Sequence, residues 1–102
     1  MTTSITADEL KNTLAEKKEL CVLDVRRKAD YQNSPETIPG AVWLDPEKVD
    51  EWGKTLPREQ ELVVYCVKGG SVSQSVANAL QESHPGVRFL EGGIVAWQER
   101  QR

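Results

Sequence analysis

A cysteine with a lysine, two glycines and a serine close behind it is equipped for sulfur chemistry. That set stands at 66–71, inside "VVYCVKGGSVS", residues 63–73. The β-branched and aromatic run Val63, Val64, Tyr65 predicts a strand that ends at the thiol of Cys66. The thiolate is the nucleophilic form, and an ordinary thiol, with a pKa of about 8.5, is only slightly ionised at neutral pH. A site that uses it must therefore bring positive potential to the sulfur. A helix opening near Gly70 presents unpaired N–H groups and the positive end of its dipole. Gly69 and Gly70 permit a tight turn whose amides face inward, a nest for an anion. Lys68 adds a full charge and Ser71 a hydroxyl. The amides of Val67 to Ser71 are expected to cup one electron-rich sulfur, either a thiolate or the outer atom of a persulfide.

Other chemistries meet obstacles in the same residues. A cysteine at the end of a buried strand also suits a small hydrophobe, so the thiol alone does not decide the matter. The loop fits neither G-x-x-x-x-G-K-[ST] nor G-x-G-x-x-G, the nucleotide cradles. A phosphatase loop of the form C-x5-R needs an arginine to grip phosphate bidentately, and Val72 stands at that place. No C-x-x-C occurs, which removes a dithiol mechanism and a cysteine zinc site. Cys21 lies within an apolar run and is expected to be inert core. His84, the only histidine, precedes Pro85 and is expected to be a solvent-facing helix cap. A cysteine–histidine dyad is then absent, which favours activation by backbone amides. No metal or organic cofactor is expected.

The elements that position Cys66 follow from hydrophobic patterning. Thr6 and Glu9 form a capping box that opens a helix over 7–17, with Ile5 stapling to Leu10 and Lys17 and Lys18 in the last turn. "LCVLDV" (20–25), "AVWL" (41–44), "ELVVYC" (61–66) and "VRFL" (87–90) predict four short buried strands. Residues 28–32 predict a short helix before Ser34 and Pro35. Asp45 caps a helix with Pro46 at its first position, running to about Trp52. Residues 70–82 carry helical spacing at Val72, Val76, Ala79 and Leu80. Gly92 and Gly93 turn the chain into a final helix. "REQE" (58–61) and "QERQR" (98–102) are expected to be solvated charge clusters, and the tryptophans to pack the core. Buried strands alternating with helices imply an α/β fold, a mainly parallel sheet with helices on both faces. Sites in such sheets lie beyond the carboxyl ends of the strands. Asp24 and Arg26 share that rim with Cys66. Asp24 is expected to accept backbone N–H groups there, and Arg26 to pair with Asp30 or lend positive potential.

The 102 residues suit one domain, 1–102, with 38% hydrophobic and 28% charged residues, a globular rather than disordered composition. A net charge of −3 argues against nucleic acid or an anionic membrane as partner. No apolar run has the length of a membrane span, and the first residues lack the pattern of a secretory leader. Two cysteines make no disulfide framework, so a cytoplasmic setting is expected.

Taken in order, "LDVR" (23–26), "DY" (30–31), "IPGA" (38–41), "VVYC" (63–66) and "LEGGIVAW" (90–97) resemble a single-domain rhodanese, over nearly the whole chain. The resemblance implies a three-layer sandwich with a five-stranded, mainly parallel sheet. It also implies a sulfurtransferase that takes sulfane sulfur from a donor such as thiosulfate onto Cys66. The persulfide then passes sulfur to cyanide, a thiol or an acceptor protein. Lys68 and Ser71 are similar to the lysine and hydroxyl of the family pattern C-R-K-G-x-T, which face the oxyanion end of the donor. Val67 replaces the arginine of that pattern, and Thr37 replaces the histidine of G-H-I-P-G-A. The slightly longer segment between Tyr31 and Ile38 is expected to border the site. The alternative within the family is a docking or sulfur-carrier module with little turnover, in a setting such as oxyanion or metal stress.

Overall fold

A computed structural model describes residues 3–16, 20–57 and 61–100. Four strands coincide with the apolar runs: β2 (Leu20–Asp24), β3 (Val42–Trp43), β4 (Glu61–Tyr65) and β5 (Arg88–Leu90). A fifth, β1 (Thr3–Ile5), precedes them and escapes the patterning, because three residues with one buried side chain carry no period. Its register with β5 (Thr3 opposite Arg88, Ile5 opposite Leu90) makes it an edge. The sheet order is β1-β5-β4-β2-β3, and every pairing is parallel.

The helices are α1 (Ala7–Ala15), α2 (Lys28–Asn33), α3 (Val49–Trp52), α4 (Ser71–Leu80) and α5 (Gly93–Arg100). The capping box forms as expected: the Thr6 side chain accepts from Glu9 N at 3.1 Å, and Glu9 accepts from Thr6 N at 2.9 Å. The bond from Thr6 N favours the ionised Glu9 carboxylate and holds its pKa below the ordinary value. Lys17, Lys18, residues 58–60 and residues 101–102 lie outside the described residues. The helix expected over 46–52 divides into a 3₁₀ turn (Pro46–Lys48) and α3.

Alternation along β4 explains the two-sided burial. Val63 and Tyr65 face a core with Leu10, Ile94 and Trp97, which α1 and α5 cover. Leu62 and Val64 face the other core, with Val76, Ala77 and Leu80 of α4 and Trp52 of α3. Both faces of a central strand are thus dry, which is why its sequence is a continuous apolar run. Cys21 packs, half-buried, against this second core, and burial pushes its thiol pKa up.

Candidate active site

The strand order creates the site. β2 connects through α2 to β3, away from β4; β4 connects through α4 to β5, in the opposite direction. The chain therefore diverges between the carboxyl ends of β2 and β4, where parallel sheets open a crevice. A mouth of about 190 Å³ lies there. Arg26, Arg27 and Asp30 form its β2 wall, and residues 66–68 and 70–72 its β4 wall. Cys66 is 6% exposed, at the floor of this mouth. Val67, Lys68, Gly70 and Ser71 line the same mouth.

Gly69 is behind the wall, and its role is conformational. Its φ of +72° is left-handed, and a Cβ would lie 2.7 Å from Gly92 N and 2.8 Å from Leu90 O. Gly93, at φ +61°, sits so close to the carbonyls of Cys66 and Val67 that no side chain fits. Gly69 thus meets the Gly92–Gly93 pair. Through that contact α5 approaches the cysteine loop: Ile94 N donates to Cys66 O at 2.9 Å, and Val95 N donates to Val67 O at 3.1 Å. A trans peptide points its C=O and its N–H in opposite directions. With both carbonyls turned to α5, the N–H groups of Val67 and Lys68 face away from that helix.

One site residue was missed by the sequence reading. Ser73, fully buried in the first turn of α4, places its Oγ 3.1 Å from Cys66 Sγ, and the thiol donates to it. A hydroxyl both donates and accepts, so it can equally donate to an ionised sulfur. Helical periodicity assigned this turn to Val72 and Val76. The signal available was a second small polar residue in that first turn, on the strand side of the helix.

Arg26 corrects the expectation of a pairing with Asp30. It is 2% exposed and clasps Asp24, with Nε 3.0 Å from both carboxylate oxygens and Nη2 2.7 Å from Oδ2. Asp24 also accepts the Arg26 backbone N–H at 3.0 Å, the strand-end role expected of it. Burial opposes the guanidinium charge, but the bonded carboxylate overrides it and holds the pKa above the ordinary arginine value. Arg26 Nη1 and Nη2 donate further to the carbonyls of Ser34 and Glu36, at 2.8 and 3.0 Å. The segment 31–38 therefore anchors Arg26 and contributes nothing to the lining of the mouth. Trp43 leaves the core for the same assembly: it stacks on Tyr31, centroids 5.1 Å apart, and donates from Nε1 to Arg26 O at 2.9 Å. Trp52 and Trp97 pack against the cores as expected.

His84 is also corrected. It is 3% exposed, beyond the far end of α4 from Cys66, with Nε2 3.2 Å from Pro57 O and Nδ1 2.9 Å from Ser83 Oγ. A carbonyl only accepts, so Nε2 donates and the ring ties α4 to the segment before β4.

The comparisons with known proteins agree on one family. The rhodanese-like domain model matches residues 6–100. A sulfurtransferase of Allochromatium vinosum is 28% identical over 97 residues, covering 95% of this chain and 89% of that protein. Thiosulfate sulfurtransferase GlpE of Coxiella burnetii is 34% identical over 86 residues, covering 83% and 78%. The crystal structure of a rhodanese-related protein from Thermoplasma volcanium superposes with a TM-score of 0.81 at 26% identity, over 96% of this chain and 92% of that one.

Proposed function

This chain belongs to the rhodanese-like domain family, and from that premise we propose that it is a sulfurtransferase carrying sulfane sulfur on Cys66. The observation that carries the reading is the placement of Sγ: it lies on the floor of a small mouth, on a loop whose carbonyls are turned outward to α5. The N–H groups of Val67 and Lys68, turned away from α5, then solvate a negative sulfur together with those of residues 69–71, as an oxyanion hole solvates oxygen. Ser73 holds the thiol from below and donates to it once the proton has left.

The cycle has two displacements. The Cys66 thiolate attacks the outer sulfur of a donor such as thiosulfate; the new S–S bond forms as the old one breaks, and sulfite departs with the electron pair. The acceptor then attacks the outer sulfur of the persulfide. Cyanide leaves as thiocyanate, or a thiolate leaves as a persulfide, and the Cys66 thiolate returns. Lys68 and Ser71 meet the anionic end of the donor. Val67 brings no charge, but Arg27, exposed on the opposite wall, supplies a cation to the same mouth.

Mass spectrometry after thiosulfate treatment tests the reading. A gain of one sulfur, about 32 Da, reversed by thiols and absent from Cys66→Ala, is the expected result. No gain on the wild type, or an equal gain on Cys66→Ala, refutes it. Ser73→Ala is expected to load sulfur about tenfold more slowly, the worth of one hydrogen bond to a charged group.

A further inference from the structure

Two kinds of hydrogen-bonding group surround Cys66, and they differ in where they stand. The loop of Val67, Lys68, Gly70 and Ser71 lines the mouth. Ser73 does not: it is fully buried in α4, and its hydroxyl is 3.1 Å from Sγ. A serine in a helix commonly turns its hydroxyl to the carbonyl four residues back. Here that carbonyl, on Gly69, accepts the Gln74 side-chain amide at 3.0 Å, and the Ser73 hydroxyl is given to the sulfur.

The two sulfurs of a persulfide differ in charge. The outer one carries it, while the inner one, Sγ, is neutral and only a weak acceptor. The outer sulfur stands about 2.0 Å beyond Sγ. It needs open space, which the mouth supplies and the packed interior around Ser73 does not. Ser73 therefore faces the sulfur that is charged in the free thiolate and neutral in the loaded protein. The loop amides can follow the charge outward into the mouth; the buried hydroxyl cannot.

We propose that Ser73 is a catalytic residue of the second half-reaction, holding Sγ as the leaving group, so that the persulfide is an intermediate readily spent rather than a store. The proposal rests on the sulfurtransferase reading above and adds the partition between loading and discharge. In discharge the acceptor bonds to the outer sulfur, the bond from that sulfur to Sγ breaks, and Sγ takes the electron pair as the Ser73 hydroxyl donates to it. A sulfur leaves faster the better its negative charge is held. A hydrogen bond to a charged group is worth about tenfold or more, and one to a neutral sulfide far less. On loading, the same bond acts by raising the fraction of ionised thiol, and that advantage ends once the thiol is ionised anyway.

Ser73→Ala removes one oxygen and leaves every residue of the mouth in place. Persulfide is prepared with thiosulfate, counted by its gain of about 32 Da, and discharged with sulfite in single turnovers. Discharge is expected to slow about tenfold at every pH. The loading defect is expected to shrink as pH rises from neutrality to about 9.5, where the thiol ionises in both proteins. In mixtures of thiosulfate and sulfite at the alkaline end, the ratio of persulfide to free Cys66 is expected to rise about tenfold. Ser73→Thr, which keeps the hydroxyl, is expected to recover most of the discharge rate, and Ser73→Val, of the same shape, none of it. The ionisable groups that line the mouth with Cys66 are Arg26, Arg27, Asp30 and Lys68. All four remain in these variants, so a pH effect confined to those without the hydroxyl belongs to Ser73. Equal slowing of loading and discharge across the pH range, or an unchanged persulfide ratio, overturns the assignment while the sulfurtransferase reading stands. A wild type that takes up no sulfur overturns both.

Discussion

The two walls of the mouth are made of different material. The β2 wall is held by side chains: a buried Arg26–Asp24 pair, two carbonyls gripped by the same guanidinium, and Tyr31 stacked on Trp43. The β4 wall is held by main chain: carbonyls at Cys66 and Val67 bonded to α5, and glycines pressed against glycines. The difference follows from what each wall does. Beside the sulfur, small backbone groups leave space for substrate and supply donors of fixed direction. On the other wall one guanidinium has to join segments that no backbone ladder connects, and only a long forked side chain spans them.

Such walls should fail in different ways. The β2 wall should be sensitive to geometry rather than charge. Arg26→Ala strands a buried carboxylate and is expected to cost about 3–5 kcal/mol in a denaturant titration. Arg26→Lys, which cannot bind two oxygens and two carbonyls from one plane, is expected to recover only part of that. Full recovery by lysine would show that charge alone suffices and would erase the contrast.

The β4 wall should be sensitive to single carbon atoms. Gly93→Ala places a Cβ against two carbonyls at positive φ, and is expected to cost about 2–4 kcal/mol. For a domain of this size that lowers Tm by about 4–8 °C per kcal/mol. Gly86→Ala, where a Cβ meets nothing within 4 Å, is the control. Equal stability of the two variants would mean that α5 does not press on the cysteine loop.

The smallest effect concerns Tyr65, which ties the end of β4 to the segment that anchors Arg26. It ends β4, is fully buried, and its hydroxyl accepts the N–H of Ile38 at 3.2 Å, just past the segment whose carbonyls hold Arg26. Burial pushes its pKa well above the ordinary tyrosine value. The neutral phenol is therefore the folded form, while the unfolded chain releases its proton near pH 10. Above that pH the native state binds more protons than the unfolded one, so stability falls as pH rises. Tyr65→Phe is expected to cost about 1 kcal/mol at neutral pH, from the lost hydrogen bond. It should also flatten the alkaline loss relative to the wild type. Parallel alkaline curves for the two proteins would rule out Tyr65 as its source.

Legibility in the sequence divides along the same line. The cysteine loop was readable because its information is local: an apolar strand, a thiol, two glycines and a helix start lie within about ten residues of one another, the range over which turn and cap chemistry acts. The β2 wall was not. Asp30 lies four residues from Arg26 and looks like its partner on helical spacing. Asp24 wins because both residues are buried at a strand end, where an unpaired charge costs far more than on the surface. His84 misleads for the same reason: beside Pro85 it looks like a cap, and only the packing of α4 on the Pro57 segment buries it.

Chain order alone determined the layered α/β plan, the run of buried strands and the nucleophile that ends one of them. These depend on side-chain period and on neighbours a few residues away. Folding decided which strand ends became adjacent, and so which loops face each other across the sulfur. It also brought Gly69 against Gly92 and Ser73 beneath Cys66. Those contacts join residues whose proximity depends on strand order and close packing, and no local period encodes either.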